Sequence, residues 1–151
     1  MSKKEKHIEY WPNGQKKSEW NRMDMKSDYK KTDWYENGQK SYEMTYKSKD
    51  AHPDFIKGKI NSWYKNGQKM SECSIYLIQG LVELFDKSTS WYANGQKKYE
   101  GYYENSYRVG KWTFWFRNGM KKKEGVHKNG LPNGKWTFYN EDGSVKEIKE
   151  H

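Results

Sequence analysis

Aromatic and polar residues alternate in short segments along the whole chain, and an Asn-Gly or Asp-Gly dipeptide interrupts each segment. Trp, Tyr, Phe and Thr favour strands, and Asn-Gly between such segments is the strongest short-range signal for a β-hairpin. The pattern therefore predicts, in each copy, a strand, a two-residue type I′ turn and a second strand. No segment of useful length has the 3.6-residue period of a helix.

The segments are copies of one repeat, with their glycines spaced 24 to 29 residues apart. Three copies read Trp-Tyr-x-Asn-Gly-Gln-Lys, at 34–40, 63–69 and 91–97. A lone hairpin is marginally stable in water, so we expect the hairpins to pair side by side in one antiparallel sheet. The chain, 1–151, is then a single repeat domain. Its repeats are centred on Gly14, Gly38, Gly67, Gly95, Gly119 and Gly143. Glutamate follows five residues after the glycine in five copies, at Glu19, Glu43, Glu72, Glu100 and Glu124.

These strings resemble the MORN-repeat family, in its bacterial YwqK-like variant, over nearly the whole chain. The resemblance implies an all-β fold, a single-layer solenoid of about six antiparallel β-hairpins. It also implies a non-catalytic role in interactions, and YwqK-like members are described as antitoxins of a toxin–antitoxin pair. The last copy departs from the pattern, because Asn140 stands where the others keep a ring. Such a departure is typical of the capping unit of a repeat array.

Two insertions lengthen the repeats, around 49–54 and at 77–83. The second falls within an apolar segment, 73–85, that holds three of the four leucines. Three interpretations of this segment stay open: a longer buried hairpin, a short helix packed on the sheet, or a docking feature for a partner. The segment 128–134 is rich in Asn, Gly and Pro, so we expect it to form a loop between the last two copies.

The composition replaces an aliphatic core with an aromatic one. The 151 residues include 8 Trp, 13 Tyr and 5 Phe, but Ile, Leu and Val together number only 14. This excludes a conventional α/β enzyme domain with an aliphatic core, and the aromatic content argues against disorder. The four histidines have no metal-ligand spacing, Cys73 lies in an apolar strand, and the glycines belong to turns. We therefore predict no enzymatic activity, no metal site and no cofactor.

The sequence contains no recognisable secretory signal and no apolar run long enough to span a bilayer. Cys73 is the single cysteine, so an internal disulfide is not possible. Both features favour a cytoplasmic location.

Alternation sorts the rings onto two faces of the sheet, provided that each turn is symmetric about Asn-Gly. One face is expected to carry Trp112, Phe114 and Phe116, with Trp20, Met44, Tyr46, Cys73, Ile75 and Tyr103. The rings three residues before each glycine would share that face and lie opposite a lysine column, Lys16, Lys40, Lys69, Lys97 and Lys121. The other face would carry a second column of rings, Tyr10, Trp34, Trp63, Trp91, Trp115 and Tyr139.

The second column, bordered by the glutamates, has the composition of a protein interface. We therefore predict a protein-binding module, an antitoxin or inhibitor that masks a partner such as a toxin or another enzyme. The alternative is that the rings only fill a thin sheet. The predicted partner-binding residues are Trp34, Trp63, Trp91, Trp115 and Tyr139.

The net charge of +9 supports a second hypothesis, non-specific binding of nucleic acid or anionic lipid. The alternative is that the lysines form a solvated surface that protects strand edges. The two open edges of the predicted sheet also allow an edge-to-edge homodimer. The residues of the predicted polyanion site are Lys16, Lys40, Lys69, Lys97, Lys121 and Lys122.

Overall fold

The computed structural model describes residues 6–21, 28–51, 56–78 and 81–151. These residues form one sheet of 12 antiparallel strands, in which each strand pairs with its neighbours in sequence. The all-β hairpin solenoid is confirmed, and no helix occurs in the described ranges. The strands are β1 Lys6–Tyr10, β2 Lys16–Asn21, β3 Tyr29–Trp34, β4 Lys40–Ala51, β5 Ile56–Trp63, β6 Lys69–Ile78, β7 Leu81–Trp91, β8 Lys97–Glu104, β9 Tyr107–Trp115, β10 Lys121–Lys128, β11 Leu131–Tyr139 and β12 Val145–Glu150.

The turns at Asn-Gly have three residues, so the predicted two-residue turn is wrong. In the second repeat Tyr35 N donates to Gln39 O at 2.8 Å, and Gly38 N donates to Tyr35 O at 2.9 Å. Gly38 has a φ of 82°, whereas Asn37 does not have a positive φ. This is a type I turn followed by a glycine bulge. The bulge shifts the pairing by one residue, so that Lys40 lies opposite Trp34 rather than Tyr35.

The turn asparagines connect successive repeats instead of adopting the left-handed conformation. Asn37 Oδ1 accepts from Gln39 N at 3.1 Å within its own turn, while Asn37 Nδ2 donates to Lys65 O of the next turn at 2.9 Å. Tyr35 strengthens the same junction, because its hydroxyl donates to Trp63 O at 2.8 Å. We call these inter-repeat hydrogen bonds the turn ladder. The asparagines that donate along it are Asn13, Asn37, Asn66, Asn94 and Asn118.

We expect Asn66→Asp to lower the free energy of unfolding by about 1 kcal/mol, the net value of one hydrogen bond. The carboxylate keeps the acceptor for Gln68 N but removes the donor to Ala93 O. The control variant is Asp142→Asn. Asp142 occupies the asparagine position in the last turn and already accepts a hydrogen bond from Ser144 N. Urea unfolding measures both variants, and equal stability losses in Asn66→Asp and Asp142→Asn would contradict the ladder.

Two-residue turns occur at the opposite ends of the strands. Asn105 and Ser106, with φ of 48° and 63°, join β8 to β9, and Asn129 and Gly130, with φ of 50° and 83°, join β10 to β11. Positive φ at both central residues is the type I′ signature. The expected loop over 128–134 is therefore wrong: Asn129-Gly130 alone makes the connection, and β11 begins at Leu131.

The apolar segment 73–85 belongs to the long hairpin of β6 and β7, which confirms the hairpin interpretation for the described backbone. The two strands pair from Ser71 and Ser90 to Ile78 and Leu81, with a register shift at Cys73. Residues 79–80 lie outside the described residues. The first insertion lies partly outside them as well, since the description stops at 51 and resumes at 56.

One side of the sheet, which we call the core face, forms the interior. Its side chains include Tyr46, Ile75, Trp112 and Trp136, each no more than 2% exposed. The strand register places Trp20, Met44, Cys73, Tyr103 and Phe114 on this face, as expected. Phe116 instead lies in a turn, where its N–H donates to Met120 O.

Candidate protein-interaction face

The opposite side of the sheet carries the second column of rings, as predicted; we call it the tryptophan face. Each ring is the last residue of its strand before an Asn-Gly or Asp-Gly turn. Because two strands separate successive rings, the rings repeat about every 10 Å. Tyr10 is 58% exposed, and the other members are half-buried. These other members are Trp34, Trp63, Trp91, Trp115 and Tyr139.

The lysine column lies on the tryptophan face. Its predicted position, on the core face opposite the rings three residues before each glycine, is therefore wrong. The glycine bulge sets Lys40 opposite Trp34, and a register shift between Asp33 and Trp34 restores the predicted pairing from Tyr42 onward. Only the first residue of the returning strand therefore changes face. Four of the five ammonium groups cap the tryptophan of the next repeat, at 5.5 to 5.8 Å from the ring centroid. The pairs are Lys16 on Trp34, Lys40 on Trp63, Lys69 on Trp91, and Lys97 on Trp115.

Lys122 does not join this column. Its ammonium lies 5.5 Å from the ring centroid of Phe116. Lys98 makes the equivalent contact with Tyr92 at 5.8 Å, and Lys17 with Trp11 at 5.4 Å. In three repeats the ring three residues before the glycine therefore receives the lysine that follows the predicted column. In the second repeat that position is Ser41, and Tyr35 instead lies under Lys65 at 5.9 Å.

The glutamate column holds the lysines in place. Each glutamate forms an ion pair with the lysine three residues before it. Four of the five also reach a second lysine on a neighbouring strand, as Glu43 does with Lys30 at 2.9 Å and Glu100 with Lys87 at 3.2 Å. Two cations around one carboxylate leave surplus positive charge, so the tryptophan face is aromatic and basic.

Glu124 is the most perturbed of these carboxyl groups. Burial acts to raise its pKa, but hydrogen bonds from Tyr139, Lys121 and Lys111 outweigh burial and lower the pKa from the ordinary value of 4.5 to about 2. The Tyr139 hydroxyl donates to Glu124 Oε1 at 2.8 Å, and Lys111 Nζ lies 3.0 Å from Oε2. The pKa values of the other four glutamates of the column are also lowered.

We expect acid to destabilise the sheet as the pH falls from about 4.5 to about 2. A depressed folded-state pKa gives stability that is complete above the unfolded value and is lost as the folded group is protonated. The thermal midpoint of Glu124→Gln should therefore fall less steeply over this range than that of the wild type. Glu36→Gln, in an exposed turn, is the control. Parallel curves for the wild type and Glu124→Gln would contradict the assignment.

Metal-binding side chains do not converge in the described part of the chain. No cluster of three or more His, Cys, Asp or Glu side chains that could hold a metal ion occurs there. Burial, with a smaller contribution from Glu72, raises the pKa of the Cys73 thiol and so disfavours a reactive thiolate. No helix in the described ranges is long and apolar enough to cross a membrane.

Sequence reasoning missed two groups on the core face, Arg108 and Lys123. Both are half-buried and lie over aromatic rings. The strand alternation carries a signal for Lys123, since it is two residues before Gly125 and both face Trp112 and Phe114 across the β9–β10 pairing. Arg108 precedes Trp112 and Phe114 by four and six residues in β9, so strand alternation also carries a signal for its place on this face.

The sequence matches the family described as MORN repeat variant at residues 30–48, 87–105, 108–129 and 132–151. These segments cover more than half of the chain, and the chain belongs to this family. MORN repeats are generally non-catalytic modules that bind proteins or membranes. No match was found among curated proteins, and none among solved structures.

Proposed function

We propose that this protein is a non-catalytic protein-binding module that docks through the tryptophan face. In its specific form, the proposal is that the chain masks a partner protein in the cytoplasm, as an antitoxin or inhibitor does. The observation that carries it is the column of half-buried tryptophans at fixed spacing on one face. Large rings that are partly accessible and rigidly held supply most of the binding energy in protein interfaces.

The rigidity of this surface supports the proposal. Each tryptophan ends a strand, and its backbone carbonyl accepts a hydrogen bond from the ring of the preceding repeat, such as Tyr64 OH to Trp91 O at 2.9 Å. The rings therefore need little reordering when a partner binds, which reduces the entropic cost of association. Five rings at about 10 Å spacing span roughly 40 Å, a length suited to a protein surface rather than a small ligand.

Non-specific polyanion binding is the second candidate. The observation that favours it is the surplus of lysines around the glutamate column. The lysines of the column are already engaged by carboxylates and by rings, which reduces their capacity to neutralise phosphates. Protein docking is therefore the favoured proposal, and salt dependence separates the two.

We expect Trp63→Ala/Trp91→Ala to weaken capture of the partner by at least tenfold, because the double variant removes two central anchors. The experiment is a pull-down with the intact chain at about 0.05 M and about 0.5 M salt, in which both protein and nucleic acid are identified. The control is Tyr102→Ala/Tyr107→Ala, which removes exposed rings at the other ends of the strands.

A single protein that is retained at high salt and lost in the tryptophan variant would support docking. Capture of nucleic acid or lipid that disappears at high salt would support polyanion binding instead. Collapse of the sheet in the tryptophan variant, seen by circular dichroism, would mean that the rings are structural. Self-association through the edge strands β1 and β12 is a separate proposal, which light scattering of the bait alone tests.

A further inference from the structure

Arg108 and Lys123 lie on the core face, on the side of the sheet away from the tryptophan face. The Arg108 guanidinium carbon is 4.7 Å from the ring centroid of Trp112 and 5.6 Å from that of Phe114. Lys123 Nζ is 4.9 Å from the Phe114 centroid and 5.4 Å from that of Trp136. Two cations thus share one ring, Phe114.

Neither cation has a carboxylate partner among the described residues, which sets the pair apart from other half-buried cations. The described side chains include four such groups. Lys31 lies 3.3 Å from Asp33, and Lys69 is paired with Glu72. Among the described side chains, Arg108 and Lys123 contact ring faces only. A half-buried charge without an opposite charge is costly, and cation–π contacts offset part of that cost.

The acidic residues nearest to this pair in the strand register are already engaged. Asp86, opposite Tyr103, is 3.9 Å from Lys57, and Glu147, opposite Phe138, is 3.4 Å from Lys149. Burial, together with the charges of Arg108 and Lys122, lowers the pKa of Lys123. The local field is therefore positive and uncompensated, which favours an anion from outside the chain.

His127 is a second, independent case in this region of a buried polar group without a partner among the described residues. Its side chain is 6% exposed, and its ring packs edge-on against Trp112 and Trp136, with centroids 5.9 Å and 4.9 Å away. Nδ1 is buried and has no hydrogen-bond partner among the described residues. Burial, with the charges of Arg108 and Lys123, lowers the pKa of His127.

We propose that Arg108 and Lys123 form a binding site for the carboxylates of an acidic peptide segment, supplied by a partner protein. The Arg108 guanidinium donates two hydrogen bonds to one carboxylate in a bidentate geometry, and the Lys123 ammonium, which lies over the same Phe114 ring, binds a second carboxylate. The ring faces are already covered by the two cations, so the site offers no free surface on which a nucleobase could stack. This is a second site, on the face that the proposed tryptophan docking does not use.

The test measures the binding of fluorescein-labelled octaglutamate to the full chain by fluorescence anisotropy at low salt. Arg108→Gln/Lys123→Met, which keeps the stems that pack on the rings, should weaken binding at least tenfold. The matched control is Lys97→Met/Lys121→Met, which removes two cations from the tryptophan face and should change affinity less than twofold. Equal losses in both variants, or no binding to the wild type, would overturn the proposal.

Cross-linking of the wild-type chain keeps the proposal testable if the variant unfolds. A carbodiimide couples a bound glutamate to an adjacent lysine, and mass spectrometry locates the product. Coupling concentrated at Lys123 supports the site, whereas coupling confined to lysines of the tryptophan face overturns it. An oligothymidylate that competes fully with octaglutamate for the Arg108 and Lys123 pair would also overturn the assignment to protein carboxylates. Because this site and Trp63 lie on opposite faces, its failure leaves the docking proposal intact.

Discussion

Trp112→Ala is expected to lower the free energy of unfolding by about 4 kcal/mol, the range observed for truncating a buried tryptophan. Trp112 is 0% exposed and packs against Tyr99, Tyr103, Phe114 and His127, with ring centroids 5.1 to 5.9 Å away. Its Nε1 also donates to Tyr102 O at 3.1 Å. The substitution therefore leaves a cavity and removes a hydrogen bond in a domain whose total stability is of order 5–15 kcal/mol.

Urea unfolding followed by far-ultraviolet circular dichroism measures this loss. Leu131→Ala is the control, because Leu131 is 70% exposed and its truncation should cost no more than about 0.5 kcal/mol. Comparable losses for the two variants would show that the aromatic side chains do not form the core.

Gly101→Ala is expected to destabilise the protein by about 3 kcal/mol through overpacking. The Trp112 ring lies directly on Gly101, and an added Cβ would be 2.2 Å from Cδ2 and 2.3 Å from Cε2. The Trp112 ring packs against Tyr99, Tyr103, Phe114 and His127, so moving it away from the added methyl group would disturb these contacts. Gly125 supports Trp136 in the same way, with the corresponding closest distance at 2.3 Å.

A double-mutant cycle checks the cause of this loss. In the Trp112→Ala background the added methyl group has room, so Gly101→Ala should cost less than about 1 kcal/mol there. Gly125→Ala in the same background is the control, because its clash is with Trp136 and should persist. An unchanged cost of Gly101→Ala in both backgrounds would point to backbone conformation rather than ring packing.

The repeat period, the hairpins and the sorting of most rings onto two faces could be predicted from sequence. Strand alternation is a local property, and it correctly placed Trp112 on one face and Trp63 on the other. The type of turn could not be predicted, because Asn-Gly fits both a two-residue turn and a three-residue turn with a glycine bulge. The inter-repeat bond from Asn37 to Lys65 O accompanies this conformation but does not decide it. The turn at Asp142-Gly143 has the same hydrogen bonds although Asp142 has no amide donor.

The wrongly predicted turn type explains why the lysine column was placed on the wrong face of the sheet. The three-residue turn and the register shift next to it together place Lys40 on the tryptophan face, where its ammonium lies over Trp63, while the rest of β4 keeps the predicted pairing. The two hypotheses that sequence assigned to separate surfaces therefore concern one surface. Arg108 and Lys123 were missed for a related reason, since a deficit of carboxylates on one face is visible only when the face of every charged residue is known.

The measurement that tests the docking claim most directly is hydroxyl-radical footprinting of the complex with the partner retained at high salt. Oxidation of each tryptophan is quantified by mass spectrometry, with the free chain as reference. We predict that Trp34, Trp63, Trp91 and Trp115 lose most of their reactivity in the complex, while the buried Trp112 and Trp136 stay unreactive in both states. Unchanged oxidation of all four surface tryptophans in a saturated complex would contradict the claim that this face binds the partner.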